Sequence, residues 1–539
     1  MNPRNHPADG LLDGDDEVKR VELVGDDDGR RPVPRGTFGK IGSAMAVLCA
    51  AVVASYLHPS LHFARPWTTP EPPAGLEVLR GERDDAVPFW NVIGRELLGE
   101  GAAQAGAEAD TAQTEELATK VLAVADDDVA PIADRQVVPV PVGDALPPYQ
   151  PQAGDDEAPT LAIELGVAAA LDGFYARLAR SDAGYAGAVT RVVHWGDSVV
   201  AADHVTSAVR ARMQQRFGDA GHGFHLLAKP NASYVHRAIE FKDGEAWSRC
   251  YIINKCKSDG LYGLGGTTVW SAGGAESRFA TSDSTPNGRK ASFIELWYRA
   301  EPQAGNVRVR VDDEAPVVVA TAADDPVDAW HRIDVADDAH RFSVRAAGGG
   351  KVRLYGVVIE RDVPGVVWDG MAQLGAFTSR MLYFDPAHIR DQIAHRDAAL
   401  LVFMFGGNDL LLPERRLDAY RDDFRGMLQR FRAQAEPPAC LVMSPVDHGI
   451  RQGQRVVSNP MVAKVTAIQR EVALEQGCGF FDTQAAMGGD GSVARWRKAS
   501  PPLISGDLAH LTDAGQRVLG HMLYTAIVAG YVEYRGRVG

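Results

Sequence analysis

The sequence predicts an α/β fold: a three-layer α/β/α, flavodoxin-like core interrupted by an all-β sandwich and preceded by a long N-terminal leader. Three observations carry this. The runs RVVHW (191–195), VVWD (366–369), ALLVFMFG (399–406), CLVMSP (440–445) and GFFD (479–482) are short, apolar and of the buried-strand type. Stretches of helical periodicity or composition, at 161–179, 201–217, 414–434, 460–476 and 512–529, alternate with them. Strands that alternate with helices imply a parallel sheet covered on both faces. Between the first strand block and the second, over 231–364, the texture changes. Runs such as ASFIELWYR, VRVRV, PVVVAT and KVRLYGVVIE are separated by turn clusters such as DDEAP and GGG, which marks a β-sandwich.

At 539 residues the chain is too long for one ordinary domain. Its net charge of −15, with no clustered Lys and Arg evident, argues against a nucleic-acid partner. The cysteines at 49, 250, 256, 440 and 478 lack C-x-x-C spacing, so no zinc knuckle is indicated. Whether Cys250 and Cys256 pair or stay reduced is open at this level.

The leader divides into three parts. Residues 1–37 carry the acidic clusters DGDDE and GDDDG with few apolar residues, and read as a disordered cytoplasmic tail. Residues 38–57 begin a stretch with no Asp, Glu, Lys or Arg between Lys40 and Arg65, long enough to cross a bilayer core of roughly 30 Å. Arg30, Arg31, Arg35 and Lys40 precede it, which puts the N-terminus in the cytoplasm and the rest of the chain outside, periplasmic or extracellular. A cleaved signal peptide is the competing reading. Residues 58–159, rich in Ala, Pro, Asp and Glu, read as a semi-extended linker with one helix near 113–125. The α/β core then covers 160–230 and 365–539.

Four separated signals point to chemistry. His194–Ser198 (HWGDS) falls where a strand ends, so Ser198 is held at the sheet edge and offers its own amide to a developing anion. Asp197 and Ser198 as caps of the next helix is the ordinary reading. Gly375 follows the VVWD strand, where a glycine permits close backbone approach or a tight turn. Gly406–Asp409 (GGND) follows the most apolar strand, and the Asn408 amide can donate into a cleft, or form an Asx-turn. Asp507 and His510 stand three residues apart before the last helix, so one carboxylate can fix one imidazole tautomer. An ordinary helix entry capped by Thr512 is the alternative. His194, His204, His222 and His225 are too irregularly spaced to indicate a metal site.

Together these blocks resemble the SGNH (GDSL-like) hydrolases, whose G-D-S, Gly, G-x-N-D and D-x-x-H elements correspond to 196–198, 375, 406–409 and 507–510. The resemblance implies Ser198 as nucleophile, His510 as general base and Asp507 as its orienter. It also implies an oxyanion hole from the Ser198 amide, the Gly375 amide and the Asn408 side chain, with no cofactor or metal. The inserted sandwich looks like that of periplasmic peptidoglycan O-acetylesterases. The implied activity is removal of O-acetyl or similar acyl groups from a carbohydrate polymer such as peptidoglycan or exopolysaccharide. A carbohydrate O-acetyltransferase and an inactive carbohydrate-binding surface protein are the alternatives. Trp247, Tyr251, Trp270, Trp297 and Trp330 are candidates for sugar stacking, with core packing the commoner use. The insertion is expected to leave and re-enter the core at neighbouring points and to be a self-contained sandwich at the rim of the cleft.

Overall fold

The computed structural model describes residues 112–123 and 131–538 apart from 245. The tail expected over 1–37 and the membrane span expected over 38–57 lie outside the described residues. Among the described residues, no helix is long and apolar enough to cross a membrane.

The five apolar runs become the five parallel strands of one sheet. They are β2 (Val189–Gly196), β14 (Gly365–Ala372), β15 (Ala398–Met404), β16 (Ala439–Met443) and β19 (Gly479–Phe481), in the order β14-β2-β15-β16-β19. The short strand β1 (Glu164–Leu165) adds to the β19 edge antiparallel. This corrects the helix expected over 161–179: α1 spans only Asp172–Asp182, because the first residues pair with Phe480 and Gly479 instead.

Alternate side chains of the strands feed two apolar layers. Val192, Trp368, Leu400 and Val402 pack against α1, α2 (His204–Phe217) and α8 (Asp513–Val538). Val193, Trp195, Leu401 and Phe403 pack against α3 (Pro386–Arg396), α4 (Leu417–Phe431) and α5 (Pro460–Glu475). The short helices α6 (Thr483–Ala486) and α7 (Ser492–Lys498) lie between β19 and α8 in the chain.

The insertion is a sandwich of two antiparallel sheets. One has the order β10-β9-β12-β7-β4, with β4 Ile239–Lys242, β7 Glu276–Thr281, β9 Asn306–Val311, β10 Val317–Ala320 and β12 Arg341–Gly348. The other has the order β11-β8-β13-β6-β5, with β5 Ser248–Tyr251, β6 Thr267–Ser271, β8 Ala291–Ala300, β11 Val327–Asp338 and β13 Val352–Glu360. The strand β3 (Gly221–His225) also pairs with β13, so the insertion begins near 221 and not at 231. Its entry and exit are neighbours, as expected. The segment 218–220 contacts the returning chain through Val366 N donating to Gly218 O (2.9 Å) and Arg361 N donating to Ala220 O (2.9 Å). A Cβ on Gly218 would stand 2.6 Å from Pro364 O, so only glycine permits this approach.

The sandwich is not self-contained, which corrects a second expectation. Phe224, Leu226, Tyr251, Trp297 and Tyr355 belong to the same apolar cluster as Val193, Trp195, Met381 and Ile389 of the core. Trp195 Nε1 donates to Leu264 O (3.2 Å). The junction also holds buried charge. Arg396 of α3 pairs with Glu360 of β13 (2.6 Å) and Asp369 of β14 (2.7 Å), and Arg191 of β2 also reaches Glu360 (2.9 Å). The candidate sugar-stacking aromatics are largely used for packing. Trp247 and Trp297 are buried, Trp330 stacks on His395 at 3.9 Å, and Trp270 lies under Lys257.

The linker expectation fails over 131–159. Asp155 is buried and receives Arg216 of α2 (2.7 Å) and the Tyr149 hydroxyl (2.6 Å). The helical residues 112–122 bury Ala118 and Val121 in the core. Burial of Asp155 is achieved by a long-range ion pair and not by any local periodicity. Cys250 pairs with Cys256, and Cys440 of β16 pairs with Cys478 just before β19, a bridge that the spacing does not reveal.

His222 and His225 of β3 gather with His236 at the junction, the His225 and His236 rings 4.2 Å apart, and His194 of β2 is buried edge-on to Trp368. Among the described residues no group of His, Cys, Asp and Glu is placed to hold a metal ion. Burial pushes all four imidazoles down, His194 and His222 to about 3; Arg210 adds to this for His222, and Arg210 and neighbouring histidines add to it for His225 and His236. Each folded pKa is thus below the unfolded value, so the unfolded state takes up the proton first. Stability is unaffected above about pH 6.5 and falls as pH drops below it, by up to about 1.4 kcal/mol per histidine per pH unit. Chemical denaturation of wild type and His225→Asn between pH 8 and pH 5 checks this. The variant is expected to lose less stability over that range.

Candidate active site

Each predicted site residue stands at the carboxyl edge of the parallel sheet or on the loop before α8. After β2 the chain turns at Gly196, where a Cβ would stand 2.4 Å from Val200 Cγ2 and 2.8 Å from Met404 O. That closeness lets Asp197 N donate to Met404 O at the end of β15 (3.2 Å). Ser198 follows, and the turn runs into a 3₁₀ segment, Ala201–Asp203, before α2 begins. Asp197 and Ser198 therefore do not cap α2. Asp203 precedes that helix, and its carboxylate is held by Arg210 (2.8 and 3.0 Å).

Ser198 Oγ lies 2.9 Å from His510 Nε2, and His510 Nδ1 lies 2.7 Å from Asp507 Oδ2. The first Asp507 oxygen accepts from the backbone amides of Ala509 and His510 (both 3.0 Å) and from the Ser505 hydroxyl. Burial opposes ionisation of Asp507, but these donors and the imidazole hold its carboxyl well below the usual carboxylate range. Leu508 takes a left-handed φ of 63°, which turns the chain tightly between the two residues. Thr512 also caps α8, its hydroxyl accepting from Gly515 N (3.1 Å), so the capping reading and the acid–base reading hold together. The site is open, with the His510 side chain 52% exposed.

Gly375 sits in a turn closed by Ala376 N donating to Gln373 O (2.9 Å). Its φ is +78° and a Cβ would meet nothing within 4 Å, so the need for glycine here is conformational. Asn408 Nδ2 donates to Ala376 O (3.1 Å), which joins the Gly375 loop to the GGND loop.

Two further carboxylates, whose part sequence reasoning missed, tie these loops together. Asp197 accepts from Gly407 N (2.9 Å) and from Val199 N (3.2 Å). Asp409 accepts from Thr378 N (3.1 Å) and Thr378 Oγ1 (2.8 Å). The serine turn, the GGND loop and the Gly375 loop are thereby connected in series. Burial raises Asp197 to about 6 against the pull of the Val199, Gly407 and Asn408 amides. It raises Asp409 to about 7 against the Thr378 donors. His448 was also missed. A Cβ on Gly407 would lie 3.6 Å from its ring, and burial followed by the nearby His510 pushes its imidazole down to about 4. Nothing in the sequence marks it, because its loop meets the catalytic one in space, with Gly449 N donating to Leu508 O (2.7 Å).

Residues 346–518 match the model of the GDSL-like lipase/acylhydrolase family. That span contains Gly375, Asn408, Asp507 and His510, while Ser198 lies before it, on the other side of the insertion. No curated protein matches the sequence. A solved structure of a peptidoglycan O-acetylesterase superposes with a TM-score of 0.56 at 19% identity, over 68% of this chain and 97% of that one. An acetyl xylan esterase overlaps 30% of this chain and 81% of its own, at 16% identity and a TM-score of 0.24. The first likeness extends over the insertion as well as the core and establishes the fold. The family match over 346–518 together with this likeness supports an SGNH-type carboxylic ester hydrolase resembling peptidoglycan O-acetylesterases.

Proposed function

We propose that the chain removes O-acetyl or similar acyl groups from a cell-wall or surface carbohydrate polymer, by acyl transfer through Ser198. The observation that carries this is the hydrogen-bonded series Ser198, His510, Asp507, at 2.9 and 2.7 Å, on an open surface. With Nδ1–H of His510 donated to Asp507, Nε2 is free to take the Ser198 proton as Oγ attacks the ester carbonyl. The same imidazole then protonates the departing sugar oxygen. Water, deprotonated in turn by His510, releases the acid from the acyl-enzyme. The Ser198 amide, the Gly375 amide and the Asn408 side chain are the donors for the oxyanion. An open site suits a polymer that must enter sideways, and the likeness in fold to a peptidoglycan O-acetylesterase supports a carbohydrate ester as substrate.

Acetate release from isolated cell wall and from acetylated polysaccharides, with and without acceptor sugars, tests the reading. Free acetate at equal rate in both is expected. Acetylated acceptor in place of acetate would make the chain a transferase, and no release from any carbohydrate while aryl acetate is cleaved would remove the carbohydrate reading.

The location belongs to the same proposal. Residues 38–57 anchor the chain in the inner membrane with the N-terminus inside, and the two disulfides suit an oxidising compartment outside the cytoplasm. Protease added to spheroplasts is expected to digest the catalytic region and spare the N-terminal tail. Protection of the catalytic region would contradict it.

A further inference from the structure

The β10-β9-β12-β7-β4 sheet turns one face into the sandwich core and the other to solvent. In β9, Val307, Val309 and Val311 point inward and Arg308 and Arg310 outward. In β12, Phe342, Val344 and Ala346 point inward while Arg341 and Arg345 point outward. The pairing register then sets like charges against each other. Arg308 stands directly opposite Arg345, and Arg278 of β7 opposite Lys242 of β4, with Ser343 between Arg310 and Arg278. Like charges directly opposite across strands destabilise a sheet. A face selected for stability alone would alternate signs.

The acids lining the same hollow, Glu240, Glu276 and Asp312, offset this only in part. Glu276 pairs with Arg278 (3.1 Å), and Asp312 with His340 (2.8 Å). Among the described residues, no carboxylate is within ion-pair distance of Arg308, Arg310, Arg341 or Arg345. The chain as a whole carries −15, so a surface crowded with unpaired arginines runs against its composition. These side chains also line a hollow of about 670 Å³.

We propose that this face of the sandwich binds an acidic glycan, its carboxylates taken by Arg308, Arg310 and Arg345. Guanidinium groups meet carboxylates in paired, planar hydrogen bonds, which fixes orientation as well as charge. A hollow fits a single polymer chain better than a flat bilayer, and the negative charge of the whole protein opposes the dense phosphates of a duplex. The proposal rests on the carbohydrate-esterase reading and deepens it: the polymer held by the insertion is acidic.

The test uses the full-length Ser198→Ala protein, so that nothing is turned over, with polygalacturonate as probe. Binding at low salt that weakens at high salt is expected. Arg308→Gln/Arg310→Gln/Arg345→Gln in the same background is expected to weaken it by about tenfold or more. Uncharged dextran, duplex DNA and vesicles containing anionic lipid are expected to bind far less. In the otherwise wild-type chain, the triple substitution is expected to leave hydrolysis of a neutral aryl acetate unchanged and the melting temperature equal or higher, since repulsion is relieved. Absence of binding to polygalacturonate overturns the proposal, as does undiminished binding by the triple variant, or DNA or vesicles binding as well as the glycan. Loss of aryl acetate hydrolysis by the wild-type chain would instead strike the esterase reading, and leaves the binding result to stand or fall by itself.

Discussion

Ser198→Ala is expected to lower kcat on a small aryl acetate by about 10⁶, and His510→Ala by a similar factor, with the double variant scarcely worse than either. The effects fail to add because the two side chains act as one unit. Without the Ser198 hydroxyl there is no nucleophile to deprotonate, and without His510 the hydroxyl keeps its proton. What remains is the oxyanion donors and substrate binding, worth about 10³ to 10⁴ over water. Both side chains stand on open surface and neither fills the core, so the melting temperature is expected to stay within a degree or two of wild type. Initial rates measured beside thermal melts check both halves. A Ser198→Ala protein with near-full activity, or additive losses, would contradict the assignment.

The largest expected effect on stability is at the junction of core and sandwich. Arg396→Leu is expected to cost about 3–5 kcal/mol, because it leaves Asp369 and Glu360 buried without their shared cation. Asp369 keeps the Phe224 amide (2.8 Å) and Glu360 keeps Arg191 (2.9 Å), so the loss is partial. Burial disfavours the charged form of Glu360, but Arg191 and Arg396 together hold its carboxyl below the usual range; removing Arg396 lets that pKa rise. The three elements involved are β13 of the insertion, β14 of the core and α3. The variant is therefore expected to melt in one transition at lower temperature. Two separated transitions in calorimetry, or a loss under 1 kcal/mol, would show that the insertion and the core are independent.

The parallel sheet was legible in the sequence because strands buried on both faces are written as unbroken apolar runs, such as ALLVFMF. β3 was not. Its sequence GHGFH has two glycines and two histidines, yet all five residues are buried, paired with β13 and closed over by the histidine cluster. The stretch over 131–159 was misread for a related reason: its place depends on Arg216 reaching Asp155 across 61 residues of chain, which leaves no local period. The first three site blocks were readable because each follows a strand end, where side chains meet a common edge, and the fourth because it directly precedes the last helix. The structural parts of Asp197 and Asp409 were not readable, since both depend on loops meeting in space. The arginine face is an intermediate case. VRVRV shows which side chains turn outward, but only the pairing register shows that Arg308 faces Arg345.

The central claim, that Ser198 is an activated nucleophile, is tested most directly by labelling the full-length chain with a fluorophosphonate and mapping the adduct by mass spectrometry. The account predicts one adduct, on Ser198, formed at a rate that collapses in His510→Ala and absent from Ser198→Ala. An unlabelled Ser198 in a protein that still hydrolyses aryl acetate, or an adduct on a different residue, would contradict it.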